Sequence, residues 1–342
     1  MPFVIPIFIP HEGCPHACVF CNQHRISGRT GQNPVAPGEV AEIIARWLVR
    51  GTVRGQGQVQ VAFYGGSFTG LPEKRQEELL AAVAPFRQQG LVQAIRLSTR
   101  PDYVEPAVIA RLHRFGVAIV ELGVQSLDPE VLAACNRGHS AAQAIRAIGL
   151  LREARLEVGV QLMVGLPGQS LLSLRRTVRQ VAVLRPDFVR IYPVLVLRES
   201  GLAALHAQGR YRPLTLDQAV AQTAWMRDVF AGHGIRVVRM GLQPGPELEE
   251  ALLAGPYHPA FGELVLGRLM LRQTQRALRD VPEGTKIKLS IADRDRSIFQ
   301  GMGSANITRL RQLGLLERFE LVTDPSQPRA TLRKIEITRE SR

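Results

Sequence analysis

Six short apolar or alternating segments recur through the first two-thirds of the chain, with stretches of helical period between them. The pattern predicts strands at Phe3–Ile9, Val59–Tyr64, Ala94–Ser98, Val117–Leu122, Val158–Val164 and Phe188–Tyr192. It predicts helices at Gly38–Arg50, Pro72–Gln89, Glu105–Phe115, Ser140–Ala154 and Ser170–Leu184, several with Pro, Ser or an acidic residue near the start. Six parallel strands with covering helices make either a doubly wound sheet or an incomplete (βα) barrel, and in both the loops after the strands carry the chemistry. A further helix at Leu216–Ala231 and a strand at Ile235–Met240 lead into Gly241-Leu-Gln-Pro-Gly-Pro246, a linker or crossing loop. The expected division is therefore a core at 1–245 and a smaller α+β unit at 246–342. That unit has a helix at Phe261–Leu278, a strand at Thr285–Ile291, a helix at Ala305–Leu313 and strands near Glu317–Val322 and Thr331–Ile337.

With 342 residues and 45% hydrophobic content the chain can build a substantial core, which excludes a disordered or fibrous protein. The opening run Met1-Pro-Phe-Val-Ile-Pro-Ile-Phe-Ile-Pro10 lacks a basic start and is broken by prolines, so it reads as a buried strand, not a signal peptide. A soluble cytoplasmic protein with no membrane partner is expected. Three of the four cysteines fall within eight residues, which suits metal ligation better than a secreted disulfide framework. The formal charge is +13, and residues 266–342 supply seven of it, sixteen Lys and Arg against nine Asp and Glu. Such a tail suits a polyanion. The plainer reading is scattered surface arginine, since 39 of the 43 basic residues are Arg.

Cys14-Pro-His-Ala-Cys18-Val-Phe-Cys21 places three soft thiolates in one loop after the first strand, which suits three irons of a cubane cluster and leaves the fourth iron open. An open iron can chelate the amino and carboxylate groups of S-adenosylmethionine. The alternative is a zinc knuckle completed by His11, His16 or His24. Phe63-Tyr-Gly-Gly-Ser-Phe-Thr-Gly70 follows the second strand, where adjacent glycines let backbone approach a ligand or simply make a turn. Gln125 ends the fourth strand and Arg137 follows one helix later, either binding a polar cofactor tail or, for Arg137, forming a surface ion pair. Cys135 lies in an apolar helical run and reads as a buried, inert thiol. Tyr192 ends the sixth strand, placed beside the reaction path, stacked on a base or packed in the core.

The C-x3-C-x2-C spacing, with an aromatic residue just before the third cysteine, resembles the signature of the radical S-adenosylmethionine superfamily. The resemblance implies a radical-SAM-type incomplete (βα)6 barrel with a small α+β C-terminal unit, a [4Fe-4S] cluster on Cys14, Cys18 and Cys21, and S-adenosylmethionine cleaved to a 5′-deoxyadenosyl radical. It implies that Phe20 contacts the adenine and that Gly65, Gly66 and Ser67 bind the methionyl amino group. In relatives such as the oxygen-independent coproporphyrinogen III oxidase, residues matching Gln125 and Arg137 bind the ribose or carboxylate; Ser98 and Gln161 fall where that relative has acidic residues on the same cofactor. Leu162-Met-Val-Gly-Leu-Pro-Gly168 also recurs in the superfamily and shapes the mouth. An electron donor such as flavodoxin or ferredoxin is implied.

Ser98-Thr-Arg-Pro-Asp-Tyr103, Val120-Glu-Leu-Gly-Val-Gln-Ser126, Arg137-Gly-His139, Ile191-Tyr-Pro-Val-Leu-Val196, Gly201-Leu and Gly209-Arg-Tyr211 further resemble the catalytic subunit of the Elongator complex, over roughly Phe3 to Met240. That subunit modifies the wobble uridine of tRNA, so an RNA substrate is implied, with Tyr192 as the catalytic candidate. The tail does not resemble its acetyltransferase domain, and the chain looks like the bacterial relatives that lack it. Three functions stay open: radical modification of a tRNA base, the same chemistry on a small or porphyrin-like molecule, and a non-catalytic zinc or RNA-binding module.

Overall fold

The computed structural model describes residues 2–15, 18–27, 34–49, 57–282 and 284–335. All six expected strands form: β1 (Phe3–Phe8), β2 (Val59–Tyr64), β3 (Ala94–Thr99), β4 (Val117–Gln125), β5 (Glu157–Val164) and β6 (Phe188–Pro193). The segment at Ile235–Met240 is a seventh strand, β7 (Arg236–Met240), paired in parallel with β6. The sheet runs in sequence order from β1 to β7, every neighbour parallel.

Alternation along each strand divides the residues between two faces. One set is apolar and fully buried: Val61 and Phe63, Ile95 and Leu97, Val120, Leu122 and Val124, Val158, Val160 and Leu162, Val189 and Ile191. The other set is polar or small: Tyr64, Arg96 and Ser98, Glu121, Gly123 and Gln125, Gly159 and Gln161, Arg190 and Tyr192. Tyr64 on β2 and Arg190 on β6 would stand roughly 19 Å apart across a flat sheet, at about 4.8 Å per strand. Yet Arg190 Nη2 donates to Tyr64 Oη at 3.2 Å. The sheet is therefore curled into a partial barrel with the polar set on its concave face.

The longer helices up to Gly232 are α1 (Pro37–Val49), α2 (Glu73–Ala81), α3 (Pro106–Arg114), α4 (Ala141–Glu153), α5 (Leu171–Leu184) and α6 (Leu216–Gly232). Capping boxes start α4 at Ser140 with Gln143 and α5 at Ser170 with Ser173. The single helix expected over Pro72–Gln89 is two, α2 and a short one at Ala84–Gln88. Pro85 is the cause: it has no N–H for the carbonyl four residues back, and its ring crowds that carbonyl.

The chain divides into two compact units, residues 1–215 with 229–257, and 216–228 with 258–342. In the second, α7 (Phe261–Arg279) and α8 (Ala305–Gln312) accompany a sheet of order β9 (Phe319–Asp324), β8 (Ile287–Ala292) and β10 (Leu332–Ile335), with β8–β9 parallel and β8–β10 antiparallel. Met270, Leu278, Leu289, Ile291, Phe299 and Phe319 form its core. The expected last strand is present to Ile335; its end, 336–337, lies outside the described residues.

Candidate functional site: the cysteine loop and the concave face

The chain leaves β1 and turns at once, through His11 (φ 57°) and Gly13 (φ 72°) in the left-handed region. The loop is sewn to the exit of β2. Ile9 N donates to the Tyr64 carbonyl at 2.7 Å, His11 N to Gly65 O at 3.0 Å and Ser67 N to Glu12 O at 2.9 Å. Backbones approach so closely that a Cβ on Gly13 would meet Ser67 O at 2.2 Å, and one on Gly66 would meet Glu12 O at 2.3 Å. Only glycine fits at both. The Gly-Gly motif thus holds the cysteine loop against the sheet. Ser67 is fully buried beneath it, its Oγ 3.1 Å from Thr99 Oγ1 and accepting from Arg100 N at 3.2 Å.

Cys14 and Cys21 are half-buried and Cys18 is buried. Burial raises the Cys14 and Cys21 thiol pKa values, Cys21 to about 12, and charge on Cys18 raises both further, so the sulfurs share one neighbourhood. Such thiols resist ionising by themselves, and a cation is what would hold them as thiolates. The nearest fixed positive charge is Arg137. Its Nη1 donates to Cys18 Sγ at 3.3 Å and its Nη2 to Gly123 O at 2.5 Å, while its Nε has no partner among the described residues. Arg137 is buried, not a surface ion pair. Its own carbonyl accepts from Arg100 Nη1 at 2.7 Å, and Arg100 is clamped by both oxygens of Asp102. Just after Arg137 in the chain comes His139, buried; burial and then the Arg137 charge lower its pKa to about 3, so the ring is neutral.

The other expected site residues fall into two groups. Gln125, Ser98, Gln161 and Tyr192 are together on the concave face. Gln125 is in the left-handed region (φ 65°), and its buried Oε1 has no partner among the described residues. Gln161 Nε2 donates to Ser98 Oγ at 3.4 Å, reaching from β5 to β3 past Gly123, which has no side chain to intervene. Phe20 is apart from these, packed with Val131, Cys135, Leu166 and Leu202. Cys135 is buried in that cluster with its thiol pushed up to about 12 by burial, and its carbonyl accepts Val19 N at 3.1 Å, bracing the cysteine loop. Among the zinc-ligand candidates, His11 Nε2 already accepts Gln23 N at 3.0 Å; His16 and the His24 side chain lie outside the described residues.

Sequence reasoning missed the layer beneath. Glu121 is buried and pairs with two guanidiniums, Arg96 Nε at 3.2 Å and Arg190 Nε at 2.6 Å, and Tyr64 Oη donates to it at 3.1 Å. A Cβ on Gly159 would meet the Phe188 ring at 2.4 Å, so that glycine lets Phe188 and Glu121 meet across β5. The signal was present as one charged residue, Arg96, Glu121 or Arg190, in the middle of each of three largely apolar strands. A shallow depression of about 440 Å3 at the opposite strand ends, lined by Arg152, Arg155, Glu157 and Arg236 among others, lies away from the cysteines.

The model of the Radical SAM superfamily matches residues 8–181, and that of the Radical SAM C-terminal domain matches residues 186–270. The chain is 33% identical over 140 residues to the tRNA uridine(34) acetyltransferase of Methanocaldococcus infernus, covering 40% of this chain and 26% of that protein. It is 27% identical over 258 residues to Elongator complex protein 3 of Saccharomyces cerevisiae, covering 62% and 45%. The chain thus spans only about a quarter to a half of the length of these curated relatives. Among solved structures, the archaeal Elp3 of Methanocaldococcus infernus superposes with a TM-score of 0.61 at 22% identity, over 79% of this chain and 63% of that one, which shows the shared fold.

Proposed function

Because the chain belongs to the Radical SAM superfamily, whose enzymes bind a [4Fe-4S] cluster and S-adenosylmethionine, we propose that it cleaves S-adenosylmethionine reductively at the cysteine loop and modifies a base of tRNA. The observation that carries the first half is the set of three thiols in one glycine-packed loop beside the guanidinium of Arg137. Cys14, Cys18 and Cys21 would hold the cluster. When bound and reduced, such a cluster would supply one electron for cleavage of a carbon–sulfur bond of S-adenosylmethionine, the source of a hydrogen-abstracting 5′-deoxyadenosyl radical.

The chain's own residues do the rest. Arg137 offsets the negative charge of three thiolates and offers its Nε, which has no partner among the described residues. Gln125 Oε1 and the Ser98–Gln161 pair offer hydrogen bonds to the polar parts of the cofactor. The backbone at Gly65 to Ser67 borders the Cys14 side of the loop and suits the methionyl amino group, while the Ser67 hydroxyl is engaged with Thr99 and Arg100. Phe20, part-buried beside the loop, suits the adenine. Tyr192 lies on the concave face near Arg190 and suits contact with the substrate.

The tRNA half rests on the archaeal relative named a tRNA uridine(34) acetyltransferase and on residues 266–342, whose sixteen Lys and Arg against nine Asp and Glu would supply phosphate contacts. The test is anaerobic reconstitution, reduction and incubation with S-adenosylmethionine, with and without total tRNA, measuring 5′-deoxyadenosine. Production that rises with tRNA and disappears in Cys14→Ala, Cys18→Ala or Cys21→Ala is expected. Production unaffected by tRNA would move the substrate to a small molecule, and none at all in protein with a full complement of iron and sulfide would overturn the radical reading.

A further inference from the structure

The concave face holds more positive than negative charge. Its seven strands present Arg96, Arg190, Arg236 and Arg239 against Glu121 and Glu157 among the described residues. Arg236 and Glu157 pair with each other at 3.0 Å near the strand starts. Above them Arg96 and Arg190 share the one carboxylate of Glu121. Among the described residues Arg239 has no carboxylate partner. It stands opposite Arg190 in the β6–β7 register, where paired residues share a face, and its side chain donates from Nε to the Gly241 carbonyl at 3.0 Å.

Like charges directly opposite each other across a strand pair repel, and part-buried charges without a partner cost free energy. The arrangement is nevertheless well organised. Arg96 lies over the Phe188 ring at 5.4 Å and Arg190 over Tyr64 at 5.7 Å, so Glu121 and two rings hold both guanidiniums in place. Side-chain exposure climbs from 1% at Glu121 through 8% at Arg96 to 17% at Arg190, and Arg239 is half-exposed, so the uncompensated charge lies toward the open side of the curled sheet. The register puts Arg190 and Arg239 on facing positions of one face, and the Tyr192 phenol lies close to Arg190, so that face offers the several donors an oxyanion takes.

We propose that Arg190 and Arg239, with Glu121 positioning the former, form a subsite for a carboxylate or phosphate on a small second substrate or co-substrate that enters the concave face. The subsite rests on the reading of the cysteine loop as the radical-generating site, since the group it holds belongs to the molecule presented to that loop.

The test uses the full reconstituted chain and follows its melting temperature in sodium acetate or sodium phosphate against sodium chloride at constant ionic strength. One or both oxyanions are expected to raise it saturably, by about 2–4 °C at several times Kd. Acetate and phosphate arms tell a carboxylate from a phosphate ligand. Arg239→Gln should abolish the shift while leaving the melting temperature in chloride unchanged or higher, because it removes an uncompensated charge. Arg309→Gln, in the other unit, should keep the shift. No shift in the parent, an undiminished shift in Arg239→Gln, or a lower melting temperature of that variant in chloride with the shift retained would each overturn the subsite. Production of 5′-deoxyadenosine by the same preparation separately reports the radical reading, so the two can fail independently.

Discussion

Gly66 and Gly149 separate two uses of the same residue. A methyl group on Gly66 would be driven into the carbonyls of Glu12 and Ile9, whereas one on Gly149, within α4, meets nothing within 4 Å. Gly66→Ala is expected to destabilise by about 1–3 kcal/mol and to lower iron content. Gly149→Ala should stabilise by about 0.5–1 kcal/mol; urea unfolding measures both. His139 makes a pH prediction. Its folded pKa, about 3, lies below the unfolded value of about 6.5, so the unfolded chain binds the proton first as pH falls. Stability is full above about pH 6.5 and is lost toward pH 3, with a slope of at most about 1.4 kcal/mol per pH unit. His139→Gln should flatten that slope between pH 7.5 and 5. The three cysteines were plain in the sequence because ligand spacing within one loop is a local property. The burial of Ser67 and of His139 was not, because neither follows from neighbours along the chain.

The concave strands act as a set, since Glu121 links side chains from β2, β3, β4 and β6. Glu121→Ala leaves the buried Arg96 and the half-buried Arg190 without their shared counter-charge and should cost about 3–5 kcal/mol, whereas Glu121→Gln keeps the shape and should cost less. Denaturant midpoints for the two variants distinguish loss of charge from loss of packing. Strand existence was legible because alternation and β-branched residues mark it locally. The break at Pro85 was legible in principle, since a proline inside a helical run removes a donor at a known place. That Tyr64 touches Arg190 was not, because the contact depends on curvature summed over five strands.

For the whole molecule, the charge of +13 favours encounter with polyanions. If tRNA is the substrate, log affinity should fall linearly with log salt, with a slope of about 0.7–0.9 per phosphate neutralised. Arg309 and Arg311 are exposed on α8, so Arg309→Gln with Arg311→Gln should lower that slope by about one to two, as filter binding at several salt concentrations would read. Among the described residues no helix is long and apolar enough to cross a membrane. The order of strands and helices, the cysteine loop and the basic tail were determined by the sequence alone, since periodicity, ligand spacing and net charge are properties of short windows or of sums. Pairing of β7 with β6, the seat of Arg137 against Cys18 and the concave arginine layer were decided only by the tertiary structure. They depend on which distant segments meet when a parallel sheet curls, and no local pattern records that.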